Sequence, residues 1–244
     1  LNCAEPFWTV ERLQGSVSAL LTAPEPKPEV ARLARVHTVT TPGLVLGSTQ
    51  KLNIVDPARA AVAGVEVLRR RSGGGSVLLW PGLQVWVDLF ITPSDPLWSD
   101  DVGLAAGWIG KLWKAALLPC LSENEPELVS LHTGRAQADR WGRLVCFAGR
   151  GPGEVLVGEH KVVGVSQRRS RNRARFQTTA RIGAWSSEPS ESKLNESKLS
   201  EVDLLDLTEA DRESGQAVVA ARCGNVAADA EAVTESLLSA LAKF

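Results

Sequence analysis

The sequence predicts an α+β domain. Three observations carry that class. Short apolar runs recur with tight turns between them, helical periodicity shows at both ends and once between strands, and the strict β-α-β alternation of a doubly wound nucleotide fold is missing. The 244 residues carry 27 basic and 28 acidic side chains, a net charge of -1. With 44% hydrophobic and 23% charged residues the composition is that of a globular chain, sized for one domain or one with an appendage. A disordered or collagen-like chain is excluded, and without a basic excess a nucleic-acid coat is not expected.

Taken in order, Pro6 to Leu21 reads as a helix, because Trp8, Leu13, Val17, Leu20 and Leu21 recur at near-helical spacing. Pro24, Pro26 and Pro28 end it. Strands follow at Ala34–Thr40, Leu44–Leu46 and Val65–Leu68. Arg69-Arg70-Arg71-Ser72-Gly73-Gly74-Gly75-Ser76 is a loop that runs straight into strands at Val77–Trp80 and Val85–Ile91. A helix is expected near Ser99–Leu118, with Val102, Ala106, Ile109, Trp113 and Leu117 on one face. Leu144–Phe147 reads as a strand and Gly149–Gly153 as a loop. Glu154–Val157 and His160–Val165 read as strands around the turn Gly158-Glu159. A further strand runs from Phe176 to Ile182. Residues 186–203 are polar, with Glu-Ser-Lys-Leu twice, and read as an exposed linker. Residues 204–244 read as a helical C-terminal appendage, with helices near Thr208–Ala220 and Val226–Phe244. The second should dock on the main domain (residues 1–185) or pair with the first.

Four cysteines lie far apart, without CxxC spacing, so neither a zinc ribbon nor a disulfide scaffold is indicated, and a reducing cytoplasm is expected. No uncharged run is smooth enough to span a membrane, and the first residues lack the pattern of a signal peptide. His37, His132 and His160 are scattered, so no metal site is expected. GxSxG and GxxxxGK[ST] do not occur, and Gly149–Gly153 fails the GxGxxG pattern.

Four features carry chemistry. Lys161 lies in an apolar strand, where alternation sets it beside Val163 and Val165. It either snorkels to solvent from an edge strand or points into a protected site, and there it needs an anionic or strongly polar partner. The glycine triplet after Arg70 and Arg71 can bring backbone N–H groups close to a ligand, while the arginines grip a carboxylate or phosphate. The plainer reading is a solvated surface loop. Cys146 is an inert buried thiol or, with a basic neighbour such as Lys161, a nucleophile. The five arginines between 168 and 175 form a solvated hairpin or a dock for an acidic partner or a nucleotide phosphate. Nucleic acid comes third, since stacking aromatics are few.

Three blocks in this order resemble the lipoate–protein ligase and octanoyltransferase family, relatives of the biotin ligases. They are Gly43-Leu-Val-Leu-Gly47-Ser-Thr-Gln50, Arg70-Arg71-Ser72-Gly73-Gly74-Gly75-Ser76-Val77 and Lys161-Val-Val-Gly164-Val-Ser166-Gln167-Arg168. The resemblance covers about Pro6 to Trp185. It implies a mixed, largely antiparallel sheet backed by helices, the class II synthetase-like catalytic domain of biotin and lipoyl ligases. It also implies that the chain attaches a lipoyl or octanoyl group to a lysine of a lipoyl carrier domain, in a 2-oxoacid dehydrogenase or the glycine-cleavage H protein. In the ligases, ATP and magnesium first convert the acid to an acyl-adenylate. Lys161 would hold the acyl carbonyl and phosphate oxygen. Gln50, Arg70, Arg71, Ser72, Gly73, Gly74, Gly75, Gly164 and Ser166 would bind the acyl-adenylate, and Arg168, Arg169 and Arg171 would dock the partner. Leu79-Trp80 stand where such ligases often carry His-Asp. Cys146-Phe147, fifteen positions before Lys161, match an octanoyltransferase branch that takes the acyl group from acyl-carrier protein through a cysteine thioester. A third possibility is a relative that binds ligand without catalysis.

Overall fold

The computed structural model describes residues 7–121, 126–183 and 199–244. In chain order the elements are β1 (Thr9–Ser16), α1 (Val17–Leu21), β2 (Arg32–Thr41), β3 (Gly43–Leu46), α2 (Pro57–Val62), β4 (Glu66–Arg69), β5 (Val77–Leu79), β6 (Gln84–Ile91), α3 (Val102–Ala105), α4 (Gly107–Leu117), β7 (Val129–Leu131), α5 (Arg140–Leu144), β8 (Val155–Val157), β9 (His160–Arg169), β10 (Ala174–Arg181), α6 (Glu209–Arg222) and α7 (Ala230–Leu241). Short 3-10 turns intervene, among them Cys146–Ala148 and Glu201–Leu204.

A seven-stranded sheet runs in the order β1-β2-β6-β10-β9-β8-β7, and a three-stranded sheet in the order β4-β3-β5. Only the β1–β2 and β3–β4 pairs are parallel. The architecture is thus the expected α+β class, mixed and largely antiparallel. Alternation splits β6 cleanly. Val85, Val87, Leu89 and Ile91 face a core shared with Ile109, Leu112 and Trp113 of α4 and with Val233, Leu237 and Leu241 of α7. Each such buried side chain stabilises the fold by about 1.5–3 kcal/mol before its ordering entropy is counted. On the other side, Trp86 joins Val45 and Leu79 of the small sheet in a second core. A third core joins Leu44 and Leu46 to Trp141, Phe147, Val202 and Leu204. Asp56, Asp101, Thr208 and Asp229 cap the starts of α2, α3, α6 and α7, their side chains accepting from free N–H groups of the first turn.

Four expectations are corrected. The helix over Pro6–Leu21 is mostly strand: residues 9–16 pair in parallel with β2, and only Val17–Leu21 is helical. The edge position explains it, since Glu11, Leu13 and Gly15 are half-buried while Val10, Arg12 and Gln14 are exposed, a period of two. Leu144–Phe147 is no strand but the end of α5 and a 3-10 turn. The helix near Ser99–Leu118 is broken into α3 and α4, and Val102 is exposed rather than on the buried face.

The fourth concerns the C-terminal part. Residues 184–198 lie outside the described residues, but 199–203 do not behave as an exposed linker. Val202 is buried with Leu204 and Leu205, and the Glu201 carboxylate accepts from the N–H of Leu78 in β5. Nor are residues 204–244 an appendage. α7 packs against α4 and β6, and α6 lies so close to Trp141 that a Cβ at Gly215 would stand 2.6 Å from its ring. Both helices complete the main cores. Among the described residues no helix is long and apolar enough to cross a membrane.

Candidate active site

A cleft lies between the two sheets. Val45, Val77 and Leu79 of the small sheet line one wall, and Trp86, Gly164, Ser166, Gln177 and Thr179 of the large sheet line the other. Leu21, Arg70, Cys146, Phe147 and Val165 complete it. The space between these walls is narrow and partly open to solvent. A mainly apolar cleft with few polar groups suits an elongated acyl ligand.

The glycine loop is held over this cleft by main-chain lacing. Ser76 donates its N–H to Leu144 O at 2.7 Å, and Cys146 donates its N–H to Ser76 O at 2.8 Å. The approach leaves no room for side chains: a Cβ at Gly75 would stand 2.7 Å from Cys146 N, and one at Gly47 would stand 1.9 Å from Gly74 O. Gly74 has φ +98, a backbone state glycine tolerates. Among the described residues, the N–H groups of Arg71, Ser72, Gly73, Gly74 and Gly75 donate to no protein acceptor, which leaves them for an anionic group.

Arg70 is buried. Its guanidinium donates to Val45 O, Gly73 O and Gly75 O, while Nε has no partner and the side chain lines the cleft. Burial pushes this group below its ordinary pKa, with Cys146 opposing. Its main work is to curl the loop, a correction to the expected ligand-gripping fork, and Nε is what remains for a ligand. Gln50 also ties structure together: its Oε1 accepts from Gly47 N, and its Nε2 donates to Arg143 O and Leu144 O. Ser72 crosses the cleft, its hydroxyl 3.0 Å from Ser166 Oγ and donating to Gln177 Oε1. Arg71 is exposed.

Lys161 reaches Cys146 and Phe147, two of the residues that line the cleft, by an irregularity of β9. Register shifts so that Val163 faces Val155 while Lys161 faces Leu156, leaving Val162 as an extra residue. Val162 and Val163 both enter the helix-side core. Lys161 therefore shares the cleft face with Gly164 and Ser166, not with Val163 and Val165 as simple alternation predicts. Its Nζ donates to Cys146 O at 2.7 Å and Gly149 O at 3.1 Å and pairs with Glu154 Oε1 at 2.7 Å. Cys146 Sγ is 3.9 Å away and the Phe147 ring centroid 5.2 Å. The lysine is only 2% exposed. Burial pushes its pKa down, but Cys146 and Glu154 together outweigh burial and hold the ammonium above its ordinary value. The edge-strand, solvent-facing alternative does not hold.

Sequence reasoning did not single out Glu154, although a buried ammonium requires an anion. It also missed a polar network farther along this sheet face. Asp88, fully buried, accepts from Trp86 Nε1 and Arg175 Nε and lies 3.1 Å from His37 Nε2. The three supposed docking arginines are split. Arg168 is exposed on the cleft side, beside Arg173 and Arg175, and Arg171 is exposed in the turn. Arg169 points to the opposite face, its guanidinium 4.6 Å from the Trp98 ring.

The donor types suit a carboxylate and phosphate: Arg70 lines the cleft, the glycine loop follows it directly, and Lys161 Nζ stands against Cys146 and Phe147, which also line it. Among the described residues no three His, Cys, Asp or Glu side chains gather as metal ligands. Magnesium that travels with a nucleotide is held largely by phosphates, with one or two protein carboxylates, so this does not bear on ATP.

No family model matches the chain, and no curated protein is similar to it in sequence. Solved structures are. One is the bi-partite lipoate protein ligase of Thermoplasma acidophilum, from a study of an archaeal lipoylation system with its E2 lipoyl domain, at TM-score 0.57 and 14% identity, covering 96% of this chain and 84% of that one. A second, a lipoate protein ligase of the same organism with bound lipoic acid, matches at TM-score 0.53 and 12% identity over 97% of this chain and 95% of that one. P. falciparum LipL1 in complex with lipoate matches at TM-score 0.56 and 13% identity over 98% of this chain and 62% of that one. The chain has the fold of the lipoate–protein ligases.

Proposed function

We propose that this chain is a lipoate–protein ligase-type enzyme. It binds lipoate or octanoate in the cleft, activates the carboxylate with ATP and magnesium, and passes the acyl group to a lysine of a lipoyl carrier domain. The observation that carries the reading is the apolar cleft lined by Arg70 at the start of the glycine loop and by Cys146 and Phe147, behind which the buried ammonium of Lys161 stands. The fold relatives with lipoic acid and with ATP support the two substrates, and the one studied with an E2 lipoyl domain supports the carrier.

The residues divide the work. Val45, Val77, Leu79 and Trp86 shelter the acyl chain from water. Gly73, Gly74 and Gly75 offer N–H groups to the carboxylate and phosphate, helped by Arg70 Nε and Arg71. Ser72, Ser166 and Gln177 tie loop to sheet across the cleft, Gly164 keeps the floor open and Gln50 steadies the loop's base. ATP, when bound, would supply the adenylyl group, with release of pyrophosphate, that turns the carboxylate into a mixed anhydride from which AMP can leave. Lys161 stabilises negative charge on the acyl oxygen as the carrier amine attacks, and the cleft's ordering of both reactants supplies much of the rest. Arg168 and Arg171 suit an acidic carrier surface. Free thiols at Cys120, Cys146 and Cys223 suit a reducing cytoplasm.

One observation favours a second route. Cys146 lines the cleft with its sulfur beside Lys161. A Cys146 thiolate attacking octanoyl-carrier protein would break the carrier's acyl–sulfur bond, release its thiol and form an acyl-enzyme thioester without ATP. The test is the intact mass of a lipoyl domain incubated with lipoate, octanoate or biotin, each with and without ATP, and with octanoyl-carrier protein. ATP-dependent lipoyl or octanoyl addition is the expected result. Lys161→Ala should abolish transfer by either route, while Cys146→Ala should silence only transfer from the carrier protein. Full activity in Lys161→Ala would overturn the site.

A further inference from the structure

We propose that Glu154 is a latch on Lys161, a positioning residue that an incoming acyl carboxylate must displace before the ammonium can reach it. The proposal rests on the acyl-transfer reading above and adds a step to it. An ammonium has three N–H donors, and in this structure all of them are taken: by Cys146 O, Gly149 O and Glu154 Oε1. A substrate oxygen can gain Lys161 only if one of these releases it. Of the three, Glu154 alone carries a formal charge, so it is the acceptor with which an anion competes.

Glu154 itself is fixed independently of the lysine. Its Oε2 accepts from Gly151 N at 2.6 Å and its Oε1 from Val165 N at 3.2 Å. Both ends of the ion pair are buried, so their attraction is weakly screened. The carboxylate therefore stays while the flexible lysine stem moves. A second anion entering beside Glu154 meets repulsion, which Lys161 must neutralise by swinging toward it. A neutral acyl ligand meets neither effect. The other charged or titratable groups facing Lys161 are Cys146 in the 3-10 turn, Cys223 after α6 and Arg181 of β10, which shares the Phe147 ring. Of these only Cys146 also offers Lys161 an acceptor, its Sγ at 3.9 Å against 2.7 Å for the Glu154 carboxylate.

The experiment compares wild type with Glu154→Gln, using octanoate and octanamide as probes. Calorimetry should show octanoate binding tighter in Glu154→Gln, on the order of tenfold, with octanamide unchanged. A residue that merely supports the fold would weaken both probes. Octanoate binding that is unchanged or weaker overturns the latch. A second readout needs no ligand: the pH dependence of Lys161 acetylation by acetic anhydride, followed by peptide mass. Its midpoint should move to lower pH in Glu154→Gln, because the ammonium has lost its counter-charge; an unmoved midpoint overturns the latch. If neither probe binds either protein, the acyl-transfer reading fails and the acetylation midpoint alone decides. If Glu154→Gln does not fold, Glu154→Asp, which draws the carboxylate back by one methylene, should shift both readouts the same way by less; a shift in the opposite direction overturns the proposal.

Discussion

Gly73 and Gly75 stand two residues apart in one loop, and alanine should act on them oppositely. At Gly75 a new Cβ would lie 2.7 Å from Cys146 N and Val145 C and 2.9 Å from Val145 N, all main chain. Ordinary contact begins near 3.4 Å, so strands of backbone laced by two hydrogen bonds must part by roughly 0.7 Å. Overpacking of this kind costs about 1–3 kcal/mol. At about 2–4 °C per kcal/mol for a chain of this size, Gly75→Ala should lower Tm by roughly 2–12 °C. At Gly73 a Cβ meets nothing within 4 Å. Its φ is not positive, so alanine only restricts the unfolded chain, and stability should hold or rise by about 0.4–1 kcal/mol. Thermal unfolding followed by circular dichroism distinguishes them. Equal Tm values for the two variants would refute the account of the loop as a backbone pressed onto residues 145–146.

Other outcomes follow from the same contacts. Gly164→Val places methyl groups in the cleft while its Cβ makes only ordinary contacts, 3.5 Å to Phe147 and 3.7 Å to Cys146 Sγ; calorimetry should show octanoate affinity falling more than about tenfold with Tm nearly unchanged. Asp88→Asn leaves Arg175 without its buried counter-ion and should cost about 3–5 kcal/mol at neutral pH in urea unfolding. Burial alone would raise the Asp88 pKa, but His37 and Arg175 outweigh it and hold the carboxyl below its ordinary value. Its contribution is therefore complete above the unfolded value of about 4 and is lost as pH falls through the lowered folded value. The gap between wild type and Asp88→Asn should close in that acid window and not on the alkaline side. Burial pushes the Cys223 thiol to about 12, so at pH 8 its thiolate fraction is on the order of one in ten thousand. Iodoacetamide on the native protein, read by peptide mass, should modify Cys146 and spare Cys223.

Much of the fold was legible because β6, β9 and β10 alternate or run apolar between clear turns, and because α6 and α7 keep helical periodicity. The glycine loop and Lys161 were legible as chemistry because arginine, triple glycine and a lysine among valines each break the surrounding pattern. What escaped detection depends on tertiary placement. β1 carries apolar residues whose spacing suits either period, and only its edge pairing with β2 decides for strand. Val145–Ala148 is too short for periodicity to separate a strand from a buried turn of helix. The extra residue in β9 reverses the side on which Lys161 lies, and no alternation rule anticipates a bulge. Arg70 and Gln50 stand at the loop, but most of their donors are spent on carbonyls, a pairing that depends on tertiary placement.

The small sheet that carries the glycine loop is fastened by chain from far downstream. Asp56 N donates to Leu204 O, Asp206 N to Ile54 O, and Leu78 N to the Glu201 carboxylate. During synthesis, then, the first half of the polypeptide can shape this roof but cannot seal it; its lower edge stays wet until the stretch past residue 200 emerges from the ribosome. A nascent fragment stopped at residue 183 would expose Leu44, Leu46 and Val65 to solvent, a target for proteases and chaperones rather than a working pocket.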